Sequence, residues 1–201
     1  VAESTKIYLK IDDELVGAIL LKDEAKHGTK EAIQALNSRG IVTKMFTGDN
    51  KKAAKQIAEE LGISEFEAEM LPDQKYSELE KELEKYKGTN GKVAFVGDGI
   101  NDSPVLARAD VGISMGGVGS GSAIEASDIV VMTDSIDRID CAIDISKKTS
   151  KIIKQNLIFS IGVKIIVLVL SVFGVANMWE AVFADVGATL ITVLNSLRIL
   201  K

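Results

Sequence analysis

The chain has 201 residues, 46% hydrophobic and 26% charged, with a net charge of −5 and an isoelectric point near 5.1. That balance argues against a nucleic-acid-binding surface. Its one cysteine, Cys141, excludes an intramolecular disulfide and a cysteine-based zinc cluster, and is expected to be a small buried side chain. The length allows one or two domains. Charged residues fill the first three-quarters, whereas residues 155–201 are strongly apolar. No basic stretch followed by an apolar run marks a signal peptide. The chain begins at Val1, without an initiator methionine, as expected of a fragment or of a processed chain.

Thr5 to Ile11 alternates, Asp12-Asp13-Glu14 turns, and Leu15 to Leu21 is extended and apolar, a pattern that predicts a β-hairpin. An isolated hairpin is marginal in water, so this one is expected to belong to a larger sheet. From Lys22 onward helices and strands alternate. A helix is predicted over Thr29 to Arg39, stopping at Gly40, then a strand over Ile41 to Phe46 and a loop at Thr47-Gly48-Asp49-Asn50. A helix over Lys51 to Leu61 ends at Gly62, and Phe66 to Leu71 is a short strand. Pro72 to Tyr86 reads as a solvated amphipathic helix with proline at its first position. Lys92 to Val96 is the next strand, followed by a loop and a helix through Ala107; Asp110 to Met115 and Asp128 to Met132 are the last two strands. Between them lie a glycine-rich connection, Gly116 to Gly121, and a brief helix over Ala123 to Ser127. This alternation predicts an α/β fold on a parallel sheet.

From Ser135 the pattern is helical, with Ile136, Ile139 and Ile143 on one face. It passes Lys147, Lys148, Lys151 and Lys154 and enters the apolar stretch Leu157 to Val175, close to the ~20 residues a membrane span needs. After a turn, Trp179 to Leu197 is apolar again, and Arg198 and Lys201 close the chain. Two spans are expected, about 155–176 and 179–198, with both outer ends cytoplasmic because the basic residues flank those ends.

The stretch Gly97-Asp98-Gly99-Ile100-Asn101-Asp102 holds two carboxylates four residues apart in a glycine-rich loop after a strand. Hard oxygen ligands of this kind suit Mg²⁺, which binds through one or two carboxylates plus substrate phosphate; an ordinary turn has the same composition. The hydroxyl of Thr47, the ammonium of Lys75 in a first helical turn, and Asp98 with Asp102 fall at strand ends, where open α/β sheets place ligands. Together they are the parts needed to hold a phosphoryl group and offset its charge. Gly116 to Gly121 reads as a loop entering a helix rather than a nucleotide fingerprint, and His27 as a surface residue.

These runs, with Met70-Leu71-Pro72-Asp73-Gln74-Lys75 between them, resemble the phosphorylation domain of P-type ATPases, within the haloacid-dehalogenase-like superfamily. The resemblance covers the chain from about Lys22 through the membrane hairpin. It implies that Thr47 hydrogen-bonds the transferred phosphoryl group and that Lys75 neutralises phosphate and nucleophile. Asp98 would be the principal Mg²⁺ ligand, with Asp102 in support. Gly48, Asp49 and Asn101 would serve the ATP-bound closed state. The family's nucleophile, the aspartate of an Asp-Lys-Thr-Gly-Thr motif, does not occur here; in the family it lies upstream. Residues 1–21 would then end a nucleotide-binding domain, 22–134 form the rest of the phosphorylation domain, and 135–201 a linker helix and two spans. The chain alone is expected to be inactive in ATP hydrolysis. The family commonly has an aspartate where Gly121 stands, a departure expected to affect helix capping more than catalysis.

Lys164 and Asp185 lie inside the expected spans, roughly 18 and 14 Å from the turn at ~1.5 Å per residue. An ionised side chain there is costly and marks an ion pathway; a pair fixing helix register is the alternative. Glu180 lies near the outer interface. Asn156, Lys164 and Asp185-Val186-Gly187 resemble the last two helices of zinc-, cadmium- and lead-exporting P-type ATPases. By that resemblance Asp185 is a ligand of the transported cation and Lys164 a built-in counter-charge. The implied protein is a multi-pass cell-membrane pump with a cytoplasmic phosphorylation domain. It would use ATP and Mg²⁺, and its partners would be a divalent heavy-metal ion, the bilayer and the rest of the pump. The rival readings are a membrane-anchored haloacid-dehalogenase-like phosphatase and a non-catalytic regulatory or metal-buffering membrane protein.

Overall fold

The computed structural model describes residues 5–12, 14–21, 25–97, 101–116, 121–133, 135–175 and 177–200. Asp98, Gly99 and Ile100 of the acidic loop, Gly117 to Ser120 of the glycine-rich connection, and Lys201 lie outside them. The chain divides into two compact units, Val1–Asp140 and Cys141–Lys201.

The first unit opens with the antiparallel hairpin of β1 (Thr5–Ile11) and β2 (Glu14–Leu21), with a register irregularity between Leu9 and Lys10. Ile7, Tyr8, Leu9, Val16 and Ile19 are each about half exposed or more, so apolar residues on both faces of this ribbon stand open. Then α1 (Thr29–Ser38) buries Ala32, Ile33 and Leu36 at helical spacing and ends as Gly40 and Ile41 return hydrogen bonds to Asn37 and Leu36. Strand β3 is shorter than expected, Lys44–Phe46 rather than Ile41 to Phe46, and Val42 is exposed. Among the described residues it pairs only with the three-residue β4 (Glu65–Glu67), in parallel, so no partner there holds a longer extended run. The strand expected over Phe66 to Leu71 is displaced to Glu65–Glu67 because Glu69 turns with φ +59°. Between them α2 (Lys51–Leu61) is capped by Asn50, whose Oδ1 accepts from the Ala53 N–H at 2.9 Å.

Helix α3 (Pro72–Tyr86) buries Leu79 against a surface otherwise laced with Glu–Lys pairs. Strands β5 (Ala94–Gly97), β6 (Val111–Met115) and β7 (Ile129–Val131) form a parallel sheet in that order, with α4 (Ser103–Arg108) and α5 (Gly121–Ala126) as the crossovers. β6 is the buried centre. On it sits α4, with Val105 and Leu106 at 1% and 0% exposure, so close that a Cβ on Gly112 would fall 2.4 Å from the Leu106 carbonyl oxygen. All pairing after the hairpin is parallel, as expected, but β3–β4 and β5–β6–β7 are separate ladders among the described residues.

Helix α6 runs unbroken over 36 residues, Asp137–Val172, and starts in the first unit. Its Asp140 carboxylate pairs with the guanidinium of Arg39, the residue just after α1. Cys141 is exposed, not buried: Ile139 faces the core, and two residues on the helix has turned about 200°. The second unit continues α6, turns at Gly174, and returns as α7 (Met178–Ser196) and a 3-10 turn, Leu197–Leu200. Both helices are long and apolar enough to cross a membrane, and only 0% and 6% of their most apolar windows are buried. The core helix of a soluble protein would bury most of that surface.

Candidate active site and interhelical ion pair

Thr47 follows β3 directly. Its Oγ1 donates to Asp49 Oδ2 at 2.7 Å and accepts from the Asp49 N–H at 3.1 Å, forming a small self-contained turn. The backbone of this turn is tied to the segment that opens α3: Thr47 N–H donates to Glu67 O, Met70 N–H to Thr47 O, and Glu69 N–H to Asp49 O. Leu71 then leads into the helix, its N–H held by Gln74 Oε1 at 2.8 Å. This brace delivers Lys75 in the first turn of α3.

Lys75 does not extend into solvent. Its Nζ stands 3.0 and 3.3 Å from the two carboxylate oxygens of Asp102, with side-chain exposures of 19% and 10%. Asp102 precedes α4, and its backbone carbonyl accepts from the N–H groups of Val105 and Leu106. The carboxylate rests against the end of β5, where a Cβ on Gly97 would lie 3.1 Å from Asp102 Oδ2 and 3.3 Å from its Cβ. Gly97 is thus the residue that admits Asp102 to this position. Beside it, Ser114 of β6 pairs with Gly97 and is fully buried.

The structure therefore brings Lys75 and Asp102 into contact and holds Thr47, Gly48 and Asp49 on the same brace. No hydrogen bond links the Thr47 turn directly to Asp102 among the described residues. Asn101 is exposed beside Asp102, and Asp98 lies outside the described residues. Hard carboxylate oxygen in a pocket that also carries an ammonium suits a Mg²⁺–phosphate pair, because both charges have an opposite partner at hand. Among the described residues no three His, Cys, Asp or Glu side chains cluster as a complete metal site, so further ligands would come from phosphate, water or other segments. His27 is exposed.

Sequence reasoning passed over three features. Lys44 pairs with Glu82 at 3.3 Å, tying β3 to α3. Arg108 of α4 pairs with Glu80 of α3, which raises the guanidinium's affinity for its proton, chiefly through that hydrogen bond. Asp110 receives the Val93 N–H at 3.0 Å, and this bond, ahead of nearby Lys92, holds its carboxyl below the usual aspartate value. The first two are long-range pairs with no periodic signature; the last closes the entry to β5 and β6.

In the second unit Lys164 Nζ lies 3.2 Å from Asp185 Oδ1, joining α6 to α7. Nearer the other end of the hairpin, Asn156 Nδ2 donates to Thr192 O at 3.2 Å and to Ser196 Oγ at 2.9 Å, while its Oδ1 accepts from Asn195 Nδ2 at 2.8 Å. Asn195, Ser196 and Thr192 were not singled out by sequence; the spacing of Asn195 and Ser196 three and four residues after Thr192, which gathers them on one side of α7, was the available signal.

Residues 2–110 match the family model of haloacid dehalogenase-like hydrolases. The chain belongs to that family. Thr47 follows the carboxyl end of β3 directly, and Asp102 comes after the carboxyl end of β5 in the sequence. Beyond the family model, the chain is 48% identical over 198 residues to a cadmium, zinc and cobalt-transporting ATPase of Bacillus subtilis, covering 98% of this chain and 28% of that protein. It is 45% identical to a zinc-transporting ATPase of Synechocystis, covering 98% and 27%. A crystal structure of a zinc-transporting PIB-type ATPase in the E2.Pi state superposes with a TM-score of 0.83 at 35% identity, covering 98% of this chain and 32% of that one. This chain thus spans less than a third of the length of each of these three proteins, and in each the likeness covers 98% of this chain, the apolar hairpin included.

Proposed function

We propose that the chain is the C-terminal part of an ATP-driven exporter of divalent heavy-metal cations, Zn²⁺, Cd²⁺ or Pb²⁺. Residues 1–21 would end its nucleotide-binding domain, 22–134 would form most of its cytoplasmic phosphorylation domain, and 135–201 the linker helix and last two spans of a multi-pass membrane protein. The observation that carries this reading is the Lys164–Asp185 pair, 3.2 Å apart, set well inside the apolar stretches 157–175 and 179–197 of two helices long enough to span a membrane. An anchor for a phosphatase has no use for two ionised groups at that depth, where each is costly. Their side chains are 66% and 59% exposed in this chain, which leaves room for ligands from further membrane helices. Asp185 supplies one hard carboxylate to a divalent ion, and Lys164 restores charge balance when the ion leaves.

In the soluble unit the nucleophile would be an aspartate of an upstream segment. β3 and β5 carry the Thr47 turn and the acidic loop at their carboxyl ends and are unpaired with each other among the described residues. A strand entering between them would put a nucleophile between Thr47 and Lys75. Lys75, released from Asp102 by the incoming charge, would neutralise the carboxylate and the phosphoryl oxygens, and Thr47 would hydrogen-bond the transferred group. Asp98 and Asp102 would hold Mg²⁺, which supplies charge compensation to the phosphoryl oxygens. Gly48, Asp49 and Asn101 would line the approach of ATP.

The test is Asp185→Ala in the complete pump. Zn²⁺-stimulated ATP hydrolysis should vanish while the protein remains folded and able to bind nucleotide. Stimulation retained at the unsubstituted level overturns the assignment of Asp185.

A further inference from the structure

The chain is acidic overall, yet one face of α6 is not. Lys147, Lys151 and Lys154 recur at helical spacing on a single side, and with Ser146, Ser150 and Ile158 they line a groove of about 480 Å³. All three lysines are exposed, and none forms an ion pair among the described residues. Asp140 and Asp144 share this face but stand at its far end from the apolar stretch, Asp144 one turn before Lys147, and residues 145–179 contain no Asp or Glu to neutralise the face nearer that stretch.

Position along the helix gives the face its meaning. This step rests on the reading of α6 as a membrane span. At ~1.5 Å per residue, Lys154, Lys151 and Lys147 stand roughly 4.5, 9 and 15 Å before Leu157, where the apolar stretch begins. The polar layer of one leaflet is about 5–7 Å deep outside the hydrocarbon. Lys154 therefore lies within that layer. Lys151 reaches it by bending its stem toward the membrane, and Lys147 lies within a Debye length of about 8 Å above it. Ser146 and Ser150 add hydroxyl donors between the ammonium groups, a mixture suited to phosphate oxygens, and Ile158 continues the groove into the apolar zone, where an acyl chain belongs.

We propose that this face of α6 binds the phosphate-bearing headgroups of anionic phospholipids, with the acyl chain running down past Ile158. Charge complementarity selects the occupant: a zwitterionic lipid returns no net charge to three adjacent ammonium groups, whereas each anionic headgroup does.

The test uses the whole chain reconstituted into phosphatidylcholine vesicles holding a trace of spin-labelled phosphatidylglycerol or spin-labelled phosphatidylcholine. At about fivefold per engaged lysine, the chain should immobilise the anionic label about tenfold or more in preference to the zwitterionic one. Lys147→Gln/Lys151→Gln/Lys154→Gln should bring the two within about twofold. Lys51→Gln/Lys55→Gln/Lys85→Gln, which removes the same charge from exposed positions on α2 and α3, should keep the preference. Equal immobilisation of both labels by the unsubstituted chain, or a preference that survives the α6 triple substitution, overturns the proposal. So does displacement of the anionic label by excess inorganic phosphate, which would make this a site for free phosphate. An alkaline carbonate wash separates the two readings. A chain stripped from the vesicles refutes the span and this site together; a chain that stays but shows no lipid preference refutes the site alone.

Discussion

Lys75 and Asp102 form a two-point ion pair between the first turn of α3 and the start of α4, with Nζ 3.0 and 3.3 Å from the carboxylate oxygens. The pair lies largely out of solvent, so each charge depends on the other. Removing Lys75 alone leaves a poorly solvated carboxylate, at a cost of about 3 kcal/mol, the lower end for buried pairs. Lys75→Met should therefore destabilise the chain by about that amount in denaturant unfolding, and Lys75→Met/Asp102→Leu should recover most of it. A double variant no more stable than Lys75→Met would mean that the pair is held by its surroundings rather than by charge.

Gly112 is the contact point between α4 and the central strand. Gly112→Ala sets a methyl group 2.4 Å from the Leu106 carbonyl oxygen, and backbone must move to accept it. A loss of about 1–3 kcal/mol is expected from such overpacking. Because the shifted helix begins at Asp102, the same substitution should weaken the Lys75–Asp102 pair, seen as non-additivity when Gly112→Ala is combined with Lys75→Met.

Asp110 links acidity to folding. Its carboxyl is held below the ordinary value of 3.8, first by the Val93 N–H and then by Lys92. A depressed carboxylate contributes stability that is present above the unfolded value and lost as pH falls through the folded one. Asp110→Asn should therefore unfold at a lower temperature than the unsubstituted chain at neutral pH. The gap should begin to narrow below about pH 4, as the carboxyl of the unfolded chain takes up its proton, and go on narrowing to the lower pH at which the native carboxyl does. A gap that stays constant between neutral pH and pH 3 would contradict this.

Asn156 makes three of the contacts that hold the apolar hairpin in register. Interhelical hydrogen bonds in a bilayer contribute about 0.6 kcal/mol each. Asn156→Leu, which keeps the branching of the side chain but removes its hydrogen-bonding groups, should cost about 1–2 kcal/mol in detergent-driven unfolding. It should also leave the Lys75–Asp102 pair of the other unit unaffected; equal losses in both units would show a general folding defect instead.

Local pattern was enough for most elements. α3 begins at Pro72 and ends at Tyr86 as its proline, Glu–Lys pairs and Leu79 stripe imply, and Asn50 and Gly62 bound α2. The same holds for the hairpin and for the two long apolar helices. Strand lengths were less legible, because a strand ends where its neighbour does. β3 stops short at Lys44 since its partner has only three residues, and Glu69 with positive φ has no side-chain signature for a turn. Cys141 was misjudged because residue type was weighed above its position on the helix.

The site was half legible. Residue chemistry and order named Thr47, Lys75 and Asp102, but only the fold shows that Lys75 answers Asp102, that Gly97 makes room for it, and that Met70 ties the Thr47 turn to α3. In the second unit, Lys164 and Asp185 stand out as charges in an apolar run. Asn195 and Ser196 do not, since polar residues near a helix end are cheap and common.

The central claim is that this chain completes a metal pump. It is tested most directly by substituting the chain for the corresponding 198-residue segment of the Bacillus subtilis cadmium, zinc and cobalt-transporting ATPase and measuring phosphoenzyme formed from radiolabelled ATP with and without Zn²⁺. The account predicts Zn²⁺-dependent phosphoenzyme in the chimera, lost on Asp185→Ala. A folded chimera that forms no phosphoenzyme, or forms it equally without metal, would contradict it.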